Sequence, residues 1–425
     1  HYYVNSKKYQ FSNNVKLVNP EYVIDTDRLD FYTSSAYAFL YGPTTIDSES
    51  SLIYCERGFY NTNNDTGYFI KNSKIDYDER TVEGDSIYFD RKRNFASATN
   101  NIKVTDTLNK STVKGHYAEV FKAKDSVFIT KRALAITKRE NDSIYIHSDT
   151  LMITGPPEAR IIRGFYNAKM YKSDLSGKAD SIHINQKTGL TQLINFYNNN
   201  DEDPFTKRRY PVLWHHENQI TGDSIHLISN SKTETLDSLK VFQNAFVISK
   251  DSLGSGFNQI KGKRLNGLFE SNELHIIDVI KNSESIYYLR DSDNELVGID
   301  KSKSAAIRIW VSENKIDELR KINQIGGKTY PDSDFPENER LLKGFEWREE
   351  ERPRSVEDLF KYDPELELPI IKGLNAQSTE ASFFDASLMQ RVKSASKKST
   401  NDSSSKFELE NKAARNIPEL RNKKD

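Results

Sequence analysis

Few residues in this chain are of types that do chemistry, and their spacing decides what they can do. The best metal-like cluster is His215-His216-Glu217. Neighbouring residues on a strand point to opposite faces, so these two imidazoles are expected to diverge. No second His/Cys pair has the i, i+4 spacing of helical zinc ligands, and no metal or cofactor is expected. Asp85, Asp142, Asp180 and Asp223 recur in similar surroundings. Calcium solenoids use a Gly-Gly-x-Gly-x-Asp repeat that is missing here, so turn capping by Asp and the following Ser is the expected role. There is no Gly-x-Ser-x-Gly elbow and no Walker loop. Glu349-Glu350-Glu351 reads as a solvated charged patch rather than an acid/base pair. Cys55, the single cysteine, has no internal disulfide partner and reads as a small buried hydrophobe. The chain is therefore expected to be no enzyme, with no catalytic residues.

The elements around these residues are more telling. Gly84-Asp85-Ser86-Ile87-Tyr88-Phe89 returns as Asn141-Asp142-Ser143-Ile144-Tyr145-Ile146, as Ala179-Asp180-Ser181-Ile182-His183-Ile184 and as Gly222-Asp223-Ser224-Ile225-His226-Leu227. A looser copy is Gly115-His116-Tyr117-Ala118-Glu119-Val120. Each is a polar turn followed by alternating polar and apolar residues. Recurrence of such a phrase marks stacked units that share one core. Ile87 and Phe89 share one face of their strand; Ser86 and Tyr88 share the other, outward face. From Lys16 to about Ile371 the pattern is short alternating strands between Asn/Asp/Gly/Ser turns, without long helical patterns. The apolar columns fit two alternatives: a core filled by its own side chains, or a trough left open for acyl chains.

Composition bounds the class. The chain has 425 residues, with 61 Lys+Arg against 62 Asp+Glu, so a nucleic-acid partner, which needs a strongly basic face, is not expected. The hydrophobic fraction is 36% and the mean hydropathy −0.72. That is low for a compact globule and suits an elongated fold with a polar tail. No apolar run approaches the ~20 residues of a membrane-spanning helix. The chain starts at His1 without a visible signal peptide, which reads as a processed or trimmed product.

Breaks in the pattern suggest four segments. Residues 1–155 form a first strand set, ending at Gly155-Pro156-Pro157. Residues 156–330 form a second, interrupted by the polar cluster Asn198–Pro204. Residues 331–374 are Pro-rich, with one capped helical turn expected from Ser355 as N-cap and Asp358 three residues on. Residues 375–425 form a polar tail, mildly basic with ten Lys/Arg against five Asp/Glu from Arg391 to Asp425, expected to be disordered or weakly helical.

Several phrases carry a family likeness. Val113-Lys114-Gly115-His116-Tyr117-Ala118-Glu119-Val120, Gly177-Lys178-Ala179-Asp180-Ser181-Ile182 and Ile220-Thr221-Gly222-Asp223-Ser224-Ile225 are three. Others are Pro211-Val212-Leu213-Trp214 with Asn218-Gln219-Ile220, Asn258-Gln259-Ile260-Lys261-Gly262, and Leu342-Lys343-Gly344-Phe345-Glu346-Trp347 with Arg352-Pro353. In this series the chain resembles the OstA/LptA-type periplasmic proteins of lipopolysaccharide transport, in their long OstA-like version. The resemblance implies an all-β, elongated β-jelly-roll solenoid of stacked antiparallel strands. It implies an apolar groove for lipid A acyl chains lined by Ile87, Phe89, Val120, Ile144, Ile182, Ile184, Ile225 and Leu227. It also implies a periplasmic address, with outer-membrane association as an option. Expected partners are lipopolysaccharide and the outer-membrane translocon barrel or an inner-membrane export anchor. Head-to-tail self-association is the further option. Docking would run through edge strands near Val15–Val18 and in the Ile307–Val311 region. The rival to this conduit is a structural or carbohydrate-binding β-solenoid with a filled core.

Overall fold

A computed structural model describes residues 1–372 except 19, 78, 139–141, 196–209, 231–234, 252, 313–314 and 370. The expected tail, 375–425, and the Asn198–Pro204 cluster lie outside the described residues. Within them the chain is an antiparallel meander in a single sheet, each long strand pairing with the next. Alternating Val, Ile, Tyr, Phe and Thr favour these strands, and only short 3₁₀ turns interrupt them.

Most strands are broken in the middle by a register shift. Examples fall between Ile70 and Ser73, Thr130 and Ala133, Phe165 and Ala168, Phe242 and Ala245, and Ile280 and Ser283. Two consecutive residues with positive φ occupy these breaks: Lys71-Asn72, Lys131-Arg132, Tyr166-Asn167, Gln243-Asn244 and Lys281-Asn282. Asn tolerates the left-handed region better than most residues, and such bulges bend a strand sharply. Aligned from strand to strand, the bends fold the whole sheet along one line into two facing walls.

Wall I contains 28–32, 66–70, 86–90, 117–121, 181–185 and 224–229. Wall II contains 73–77, 80–84, 143–148, 175–179, 212–215 and 245–250. The walls touch through their inward faces. A Cβ on Gly115 of wall II would sit 2.4 Å from Ile129 of wall I, and one on Gly262 would sit 2.5 Å from Val279. Small residues at the fold line therefore let the walls close tightly.

At one end of the sheet, Lys8–Val18 pairs with Tyr22–Tyr32 and, on its far side, meets only Tyr2–Tyr3 among the described residues. Tyr9, Phe11, Leu17 and Val18 are exposed there. At the other end, the expected edge region Ile307–Val311 is not an edge. It is paired on both sides, with Ile276–Val279 and with the strand Lys315–Ile322, and Ile307 and Ile309 are buried. Among the described residues, the edge at this end is made of two strands: Lys315–Ile322, which pairs with the Ile307–Val311 region, and Gly326–Tyr330, which pairs with Ile299–Lys303.

Candidate functional site

The site is the space between the walls. Two rows of inward side chains run along it at different depths. The deep row, beside the fold line, includes Ile87, Ala118, Ile129, Ile146, Ile182, Leu193 and Ile225. All of these are at most 4% exposed and belong to one continuous cluster drawn from both walls. The outer row lies two residues further from the fold. It includes Ile75, Val82, Val104, Val127, Ile144 and Ile184, all half-buried and packed on the deep row. Each strand contributes both rows by simple alternation.

The eight expected lining residues divide between these rows. Ile87, Ile182 and Ile225 are deep and fully packed; Leu227, although further out, is also buried. Phe89, Val120, Ile144 and Ile184 are half-buried at the mouth. Phe89 stacks on Phe69 at 5.3 Å between ring centroids and fills the space above Gly67, where a Cβ would lie 2.1 Å from its ring.

The division follows from where the recurring phrase falls on the strand. Asp85 and Asp223 sit at the fold line. Asp85 accepts hydrogen bonds from the side chains of Asn100 and Asn101, and Asp223 from Asn244. Asp180 stands at the fold line too, its backbone N–H donated to Asn195. Asp142 does not: it stands at the outer start of Ser143–Thr154 and accepts from the backbone N–H of Ser143 and of Ser173. In that strand Asp149 takes the fold-line place, bonded to Asn167. Ile144 is therefore at the mouth, while Ile87, Ile182 and Ile225 are deep.

The deep row leaves little empty space. A cavity of about 30 Å³ is lined by His215, Val247, Ile260, Leu274, Ile277 and Ile309, room for roughly one water molecule and not for an acyl chain.

The outer faces hold a feature that alternation misses. The described residues between 331 and 372 run back along the sheet as a strap. Phe335 and Leu342 pack on Phe246, Ile248, Ile286, Tyr288 and Ile299 of wall II. The amide of Gln259 donates to the Arg340 carbonyl at 2.8 Å and accepts from the Leu342 N–H at 2.8 Å. Gln219 does the same with the Glu346 carbonyl and the Arg348 N–H, both at 2.7 Å. Lys169 donates to the carbonyls of Leu359 and Lys361, and His147 lies 3.0 Å from Asp363. The strap then reaches wall I, where Ile371 covers Phe39, Phe59, Tyr68 and Tyr88, and Ser97 donates to the Lys372 carbonyl. The two Asn-Gln-Ile phrases and the Leu342–Trp347 phrase are thus the two halves of one contact.

Two expectations change as a result. Tyr88 does face outward, but it is 8% exposed under the strap instead of solvated. Glu349-Glu350-Glu351 is a solvated patch only at Glu350, which is exposed. Glu351 is gripped by Arg348 and Lys178, and Glu349 by Arg352 and Arg354. Burial alone would raise the Glu351 pKa, but hydrogen bonds from Arg348 and Lys178 outweigh it and hold the group at about 2. The helical turn does form, as a 3₁₀ turn over Glu357–Phe360, with Ser355 and Asp358 bonded reciprocally. Cys55 is fully buried and its thiol is pushed up to about 12 by burial, against a weaker opposing hydrogen bond from Arg57.

The imidazoles of His215 and His216 do not diverge. His215 ends the strand Val212–His215, but His216 lies in the turn with φ +46. That left-handed step swings its ring back to 4.4 Å from that of His215. The third member of the group is Glu273, not Glu217.

The fold and its lining define a class: an all-β, antiparallel sheet folded into two walls around an apolar interior with an aliphatic mouth. The model of the OstA-like protein family matches residues 1–85, the part of the chain running from the first strand to the fold line of Arg80–Asp90. Among solved structures, it is similar to LptH from Pseudomonas aeruginosa, described as the LptA homologous periplasmic component of the conserved lipopolysaccharide transport device. The identity is 14% and the TM-score 0.27, over 32% of this chain and 92% of that one. No curated protein matches the chain.

Proposed function

We propose that this protein is a non-enzymatic lipid conduit of lipopolysaccharide transport, acting in the periplasm. Acyl chains lie along the mouth between the walls, and the sugar and phosphate groups stay in solvent. The observation that carries this reading is the outer row: half-buried aliphatic and aromatic side chains continue from strand to strand along both walls. The OstA-like match over residues 1–85 supports it. Burying an acyl chain contributes about 0.8 kcal/mol per CH₂, so a chain laid across several strands is held firmly while each single contact stays weak. Passage is then a slide between equivalent contacts, and its direction comes from partners that load and unload the ends. The exposed strand Lys8–Val18 and the edge strand Lys315–Ile322 suit edge-to-edge docking with a translocon barrel, an export anchor or a second copy.

The deep row favours one rival reading, a structural solenoid whose core is complete without ligand. Titrating the purified chain with a fluorescent lipid A analogue separates the two. The conduit reading predicts saturable binding that Val120→Glu and Ile184→Glu abolish while the thermal unfolding midpoint changes little. Equal binding by wild type and both variants, or none by the folded wild type, overturns it.

A further inference from the structure

One nitrogen of His215, one of His216 and a carboxylate oxygen of Glu273 lie within 4.8 Å of one another. They come from opposite walls. His215 and His216 stand at the outer end of wall II, in the hairpin between Val212–His215 and Asn218–Thr221. Glu273 opens the strand Glu273–Arg290 at the outer end of wall I, opposite Glu270. The cluster therefore bridges the mouth.

His215 is 2% exposed, and its Nε2 is buried without a hydrogen-bond partner. A buried unpaired ring nitrogen costs free energy unless something engages it. Its ring is fixed edge-on against Phe269 at 5.6 Å. His216 Nε2 is 3.2 Å from Glu273 Oε2. Two imidazoles and a carboxylate are the donor set of a zinc-type site with an open fourth position. Metal–ligand bonds of about 2.0–2.1 Å place tetrahedral donors roughly 3.3 Å apart. The His216–Glu273 pair already has that spacing, and the half-exposed Glu273 side chain is free to swing toward the third donor.

From this we infer a divalent transition-metal site, formed by His215, His216 and Glu273, that staples the two walls across the mouth. The nearby cations are compensated: Lys172 pairs with Asp174 at 2.6 Å and Arg352 with Glu349 at 3.4 Å. The inference stands on this geometry and does not depend on the lipid reading.

The test is titration of the purified full chain with Zn²⁺ by calorimetry and with Co²⁺ by visible absorption. One ion per chain, a tetrahedral Co²⁺ spectrum and a Zn²⁺-dependent rise in the unfolding midpoint are expected. His216 is half-buried and Glu273 exposed, and an unchanged circular dichroism spectrum of His216→Ala and Glu273→Gln without metal serves as the control that the fold is retained. Each should weaken binding by roughly tenfold or more and remove the midpoint rise. No ion bound by wild type overturns the site. So does binding that survives both variants, and binding that falls only with His1→Ala would assign the ion to the amino terminus instead.

Discussion

At the residue scale, depth in the fold separates side chains that look identical in the sequence. Ile182 and Ile184 occupy one phrase, two positions apart, yet Ile182 is sealed and Ile184 is at the mouth. Ile182→Ala should cost about 2–5 kcal/mol of stability, the range for a large-to-small change in a packed core. Ile184→Ala should cost clearly less and should instead weaken acyl binding; chemical denaturation of both variants checks this. Cys55, with its raised pKa and full burial, should resist thiol reagents in the native state and react only on unfolding, which a timed labelling assay reads directly. Alternation groups the eight expected lining residues on one face of their strands. It could not rank them by depth, because depth depends on where the bend falls, and Asp142 imitates a fold-line aspartate at the wrong end of its strand. Nor did alternation hold for His216, because a single positive-φ step in a turn overrides the strand rule.

At the element scale, the strap decides which outer surfaces are free. Gln219 and Gln259, both fully buried, each satisfy one carbonyl and one N–H of the strap. Removing either amide leaves buried backbone groups unpaired, at about 1–3 kcal/mol per group. Gln219→Ala and Gln259→Ala should therefore expose residues 331–372 to proteolysis before the sheet unfolds. Acid should do the same through Glu351. Its folded pKa, about 2, lies below its ordinary 4.5. Its contribution is therefore complete above about pH 4.5 and is lost as pH falls from there toward 2. Hydrogen exchange across that window should show the strap near Glu351 loosening, and Glu351→Gln should remove the pH dependence. The strands and the capped turn at Ser355 were legible in the sequence, since each is specified by local pattern. The strap was not. Its partners lie as far as 275 residues away in the chain, and its apolar anchors follow no period.

At the scale of the whole molecule, one bent sheet presents a largely apolar mouth, crossed by the His215, His216 and Glu273 group, with an edge strand at each end among the described residues, and the apolar run along that mouth is the basis of the conduit proposal. The most direct test is photo-crosslinking in living cells with a probe at Phe89 and, separately, at Ile184. Controls belong at Lys114 and Lys240, which are exposed on the outer faces; Tyr88, covered by Ile371, is unsuitable. The account predicts lipopolysaccharide adducts at both mouth positions and none at the controls. A folded protein that gives no adduct at Phe89 or Ile184, or gives them equally at Lys114 and Lys240, would contradict it.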